Sequence, residues 1–121
     1  MHLSPTTQKW IAIACLIIGE VISVYSEMIA ARSHDLLDGT AFWVTFAKSF
    51  GLIIVAGALL IIGYMVGFKS IKNIWIVSVL SVTSILVVEP ALAYGIFKQL
   101  PTKGALIGLI FGGLGFIATL L

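Results

Sequence analysis

The chain has 121 residues, 60% of them hydrophobic and only 10% charged. Seven Lys or Arg against five Asp or Glu leave a formal charge of +2. A water-soluble domain needs a charged surface that this composition cannot build, and cations scattered through loops give no basic stripe for a nucleic acid.

Residues 1–9 are a short polar lead with Pro5 and Lys9. The first apolar span covers residues 10–31 and is closed by Arg32. Its single Cys15 offers no intrachain disulfide. The next stretch, Ser33-His34-Asp35-Leu36-Leu37-Asp38-Gly39, is the most polar of the chain. His34, Asp35 and Asp38 in one short loop read as a solvated turn rather than a metal site. The second apolar run, residues 42–68, exceeds the roughly 20 residues that cross a bilayer. Lys48 divides it, so Phe42–Ala47 is expected along the interface and residues 49–68 across the membrane. Lys69 and Lys72 mark a turn, and residues 73–97 form the third span. After Lys98-Gln99-Leu100-Pro101-Thr102-Lys103 comes the fourth, residues 104–121, with Pro101 just ahead of it, where a missing N–H does little harm. The chain stops at Leu121 without a polar tail, which is compatible with a natural C-terminus that extends further.

Only helices satisfy an open chain's backbone in lipid. The expectation is therefore an all-α, integral membrane protein, one compact four-helix bundle forming a single domain over residues 1–121. No Gly-rich phosphate loop, nucleophile with a base or Cys/His cluster appears. Neither an enzyme nor a cofactor or metal centre is expected.

Loop charge carries little orientation signal. Lys9, Lys69 and Lys72 lie on one side, against Arg32, Lys98 and Lys103 on the other, with Lys48 joining the second set if it is interfacial. Orientation follows an imbalance of Lys and Arg, and this near balance is compatible with insertion both ways and with an antiparallel homodimer. A single orientation set by one or two charges or by a paired subunit is the plainer alternative.

Three of the five acids fall within spans: Glu20, Glu27 and Glu89. A charge at a helix centre costs about 3 kcal/mol on insertion scales, so such groups face protein or water and mark functional sites by default. Glu20 lies about 16 Å beyond Lys9, near mid-depth of a roughly 30 Å core. Glu27, one heptad on, shares its helix face with Gly19, Ser23, Ser26 and Ala30. Glu27 is also near enough to Arg32 to reach headgroup water. Glu89 is about 13 Å from Lys98, at a level expected between Glu20 and Glu27. It precedes Pro90, which takes the N–H from the Leu86 carbonyl. That arrangement suits a hinge or an ion site, or else a packing kink with Glu89 hydrogen-bonded to a neighbour.

Other signals are weaker. Ser78, Ser81, Thr83 and Ser84 read as hydroxyl contacts between helices. Trp10 and Trp75 read as interface anchors, and Tyr94 as either an anchor or a cavity group. Gly104, Gly108 and Gly112, and the pair Gly63 and Gly67, recur every four residues and mark faces for close helix packing.

The closing residues resemble the drug/metabolite transporter superfamily. Val87-Val88-Glu89-Pro90-Ala91-Leu92-Ala93-Tyr94, the turn Phe97–Thr102 and the glycines from Gly104 to Gly115 are similar to the last helix pair of an EamA-type repeat. Lys98-Gln99 departs from the acid usual in that turn. Chain length, four spans and Gly19-Glu20-Val21-Ile22 look like the small multidrug resistance branch. There the first-helix glutamate binds protons and cations in turn within an antiparallel dimer, a role only Glu20 can inherit. The resemblance implies a secondary transporter in a bacterial or archaeal cell membrane. Glu20 would carry the exchange. Glu27 and Glu89-Pro90 lie outside the small multidrug resistance pattern, and from their place in the spans Glu89 and Glu27 are expected to be auxiliary proton or cation ligands, with Tyr94 and Ser23 as pocket groups. The transporter's partners would be membrane lipid, a small-molecule substrate and a second small subunit. A lipid-linked sugar flippase subunit and a non-transporting membrane partner protein are the alternatives.

Overall fold

A computed structural model of the chain describes residues 4–32, 39–119 and 121. Four helices take up nearly all of them: α1 Pro5–Arg32, α2 Gly39–Ile71, α3 Ile74–Phe97 and α4 Lys103–Thr119. The first three are long and apolar enough to cross a membrane. The fourth has 17 residues, a length of about 25 Å. His34, Asp35 and Asp38 lie outside the described residues.

Polar residues at the turns set the helix ends. Ser4 Oγ accepts the Thr7 N–H at 3.2 Å, and Pro5 takes the first helical position. Asn73 Oδ1 caps α3 through the Trp75 N–H at 3.0 Å, and Thr102 Oγ1 caps α4 through the Ala105 N–H at 3.1 Å. Two lysines close helices in the left-handed conformation that favours glycine: Lys72 at φ 62 and Lys98 at φ 56. Their N–H groups donate back to Phe68 O at 2.8 Å and Tyr94 O at 2.9 Å.

α2 runs through Lys48 without a break, so Phe42–Ala47 is not a separate segment. No proline or glycine interrupts residues 42–50. Rings stacked at i, i+4 join successive turns, Phe42 with Phe46 at 6.1 Å and Phe46 with Phe50 at 5.7 Å between centroids.

α1 is the central helix. It packs on α2 along much of its length and on α3 on another side, while α2 and α3 touch only locally. Among the described residues, α4 meets only α3. The expected compact bundle is thus a three-helix unit with α4 on its flank. α4 is apolar on all faces and has no buried residue among those described, so it has no polar strip that must be turned inward.

Small residues bring α1 and α2 together. A Cβ on Gly63 would lie 2.9 Å from Leu16 Cγ, and one on Gly19 would lie 2.9 Å from Leu60 Cγ. One on Gly67 would sit 3.4 Å from the Ala12 Cβ and 3.3 Å from Val77 Cγ1 of α3. Ala12, Leu16, Ala56 and Val77 form the core around these positions.

Candidate functional site

Among the described residues Glu20 is one of three buried polar or charged groups, with 7% of its surface exposed. It sits on the face of α1 that also buries Leu16, Gly19 and Val24. Its Oε1 accepts the Ser81 hydroxyl of α3 at 2.7 Å. The carboxyl thus faces the helical core, and its hydrogen bond ties α1 to α3. Of the hydroxyls on α3, Thr83 and Ser84 bond back to their own helix, at Val79 O and Leu80 O. Ser81 differs because its face meets α1. The sequence grouped all four as packing hydroxyls. Spacing within one helix could not single out Ser81, because its role depends on the register between two helices.

The Glu20–Ser81 bond spans 61 residues and sets that register. The same offset places Glu89 beside Met28, one residue beyond Glu27 and not between Glu20 and Glu27. Both Met28 and Glu89 line one groove. Glu27 is exposed, although it shares a face with Glu20. Ser26, one residue earlier, is fully buried by a reciprocal pair: its Oγ donates to Ser49 O of α2 and Ser49 Oγ donates to Ser26 O, both at 3.3 Å. Ser23 is half-buried.

The groove has a volume of about 620 Å³ and lies between α3 and α4, with Met28 of α1 also lining it. Glu89, Tyr94, Gln99 and Thr102 are its polar lining groups. Among the described residues no hydrogen bond or ion pair engages Glu89. Tyr94 carries the Lys98 ammonium over its ring, 5.6 Å from the centroid. Two smaller cavities flank α3: one of about 260 Å³ against α1 near Leu16 and Ser84, and one of about 380 Å³ against α4 near Trp75 and Gly115. Glu20 lines none of the three.

The glycines divide by environment. Gly63 and Gly67 are buried against α1. Gly112 approaches Leu86 of α3, where a Cβ would lie 3.3 Å from Cδ2, while Gly104 and Gly108 face open space. Gly108 lines the large groove.

No protein-family model matches the chain, and neither does a curated protein or a solved structure.

Proposed function

We propose that this chain is a small secondary transporter of a bacterial or archaeal cell membrane, with α4 as a fourth crossing, that works as a dimer. It exchanges protons for a small cationic or amphipathic molecule at Glu20. The observation that carries this reading is the carboxyl held inside an apolar helical core by a single hydroxyl, 2.7 Å away. Intramembrane acids that face protein are functional by default. One hydrogen bond leaves most of the carboxyl's acceptor capacity unused. A proton and a cationic group cannot occupy one desolvated carboxylate together, so each expels the other. Movement of α3 away from α1 breaks the Ser81 bond and opens the site, and rocking of packed units supplies alternating access. The similarity of Gly19–Ile22 and of the last helix pair to the drug/metabolite transporter superfamily supports the same reading.

The test is flux in reconstituted vesicles carrying an internal pH dye, with organic cations added outside. Wild type is expected to release protons and Glu20→Gln to release none. Flux through Glu20→Gln equal to wild type overturns the mechanism.

A second reading rests on the absence of Glu20 from all three cavities. In it the Glu20–Ser81 bond is a clamp that assembles α1 and α3 without transport. That reading expects no proton flux in wild type, and only a lower melting temperature in Glu20→Gln.

A further inference from the structure

We propose that the groove between α3 and α4 is a binding site for a membrane-borne primary amine with an apolar body, held at Glu89. Its volume of about 620 Å³ falls within the range of small-molecule sites. Its walls are mainly apolar side chains, including Ile85, Leu86, Ala93 and Leu109. Its polar groups are few, and only Glu89 among them is charged. No lysine or arginine lines it. Lys98, at the end of α3, is occupied over the Tyr94 ring, about 13 Å along the helix from Glu89. Glu89 is therefore a carboxylate with no partner among the described residues, open to a largely apolar groove.

The local backbone narrows the ligand chemistry. Pro90 gives the Leu86 carbonyl no N–H to accept. Leu86, Glu89 and Pro90 all line the groove. This stretch thus offers a carboxylate and a backbone acceptor in surplus, and lacks a donor at position 90. A primary ammonium brings three N–H donors and one charge to such a place. A quaternary ammonium brings the charge alone, and an alcohol brings no charge. The residues around the α3–α4 turn, Gln99 and Thr102, also line the groove. The groove therefore reaches from the turn to Glu89, and an amine can enter from the interface with its apolar body against Leu86 and Leu109. This site is separate from Glu20, which does not line the groove, and it stands whether or not Glu20 exchanges protons.

The experiment measures binding of radiolabelled decylamine to the full chain in nanodiscs, with empty nanodiscs subtracted to remove partition into lipid. Unlabelled decylamine, decyltrimethylammonium and decanol compete at equal chain length. Wild type is expected to bind saturably, with decyltrimethylammonium at least fivefold weaker as a competitor and decanol weaker still. Glu89→Gln is expected to bind at least tenfold more weakly, Glu89→Asp to recover part of that loss, and Thr83→Ala, on the same helix but outside the groove, to bind within twofold of wild type. Gly108→Leu, which adds a side chain to the groove lining, is expected to lower affinity while the melting temperature stays unchanged. Equal affinity in Glu89→Gln and wild type overturns the proposal, as does a quaternary competitor as strong as the amine. Loss in Thr83→Ala equal to that in Glu89→Gln also overturns it, because the loss would then not belong to the groove.

Discussion

The α1–α2 pair and the α3–α4 pair use the same small residue at the same spacing and reach opposite outcomes. Gly63 and Gly67 admit Leu16 and Ala12 so closely that a Cβ on either glycine would meet them at 2.9 and 3.4 Å. Gly104 and Gly108 meet nothing within 4 Å, and only Gly112 approaches α3, through Leu86. Glycine every four residues permits close approach but does not cause it. The partner must supply a side chain of fitting shape at the matching level, as Leu16 does. Where it does not, a glycine face leaves room for a cavity. The packed pair holds the framework for Glu20, and the loose pair holds the groove for Glu89.

The largest contrast is expected from one substitution made in both pairs. Gly63→Leu would drive a side chain into Leu16, whose backbone N lies only 3.2 Å from a Cβ at position 63. Backbone cannot move aside as a flexible side chain can, so a loss of about 3 kcal/mol is expected, at the upper end for overpacking. Gly108→Leu points into open space and should change stability by less than about 0.5 kcal/mol, as for a surface change. Unfolding by denaturing detergent titrated into mixed micelles measures both. Equal losses would mean that α4 is packed against another surface in the assembled protein, and the contrast between the pairs would disappear.

A smaller effect tests the polar link across the packed unit. Ser81→Ala removes the only hydrogen bond of Glu20 among the described residues. A buried acceptor left without its donor costs about 1–3 kcal/mol. Thr83→Ala removes a hydroxyl that bonds only to Val79 O of its own helix, and the loss should be below about 0.5 kcal/mol. If the two alanine variants lose equal stability in the same titration, the α1–α3 link contributes nothing beyond helix-local bonding.

These pairs also show how far the sequence could be read. Apolar runs and turn residues located four helices because lipid demands closed backbone hydrogen bonding within each run. The caps at Ser4, Asn73 and Thr102 were not singled out, and only Pro101 was placed ahead of a helix, although such capping is local in sequence. The inward direction of Glu20 followed from the cost of a charge in hydrocarbon. What pairs with it did not follow, because the 61-residue register between α1 and α3 is a product of packing. The opposite exposures of Glu20 and Glu27 escaped for the same reason. A seven-residue spacing predicts a shared face, but burial depends on what the neighbouring helix places there. The open flank of α4 was equally hidden, since its glycine pattern resembles that of the packed α2.

The smallest effect concerns the two turns that join the regions. Lys72 and Lys98 both hold left-handed backbone, at φ 62 and φ 56. A side chain in that conformation costs about 1 kcal/mol, from which the entropy lost by a more flexible glycine must be subtracted. Lys72→Gly should therefore stabilise the protein by about 0.5 kcal/mol. Its turn connects α2 to α3 inside the three-helix unit, so the relief should appear in full in the global unfolding midpoint. Lys98→Gly relieves the same conformation, but it also removes the ammonium from the Tyr94 ring, an interaction worth about 0.5–1 kcal/mol at exposed sites. Its turn leads to α4, which among the described residues touches α3 alone and is therefore expected to open locally before the unit unfolds. The midpoint should move for Lys72→Gly and stay within error for Lys98→Gly. Amide exchange in α4 should still speed up for Lys98→Gly, because the end of α3 loses a contact. Equal shifts of the midpoint would instead make α4 part of the same cooperative unit as α1 and α2.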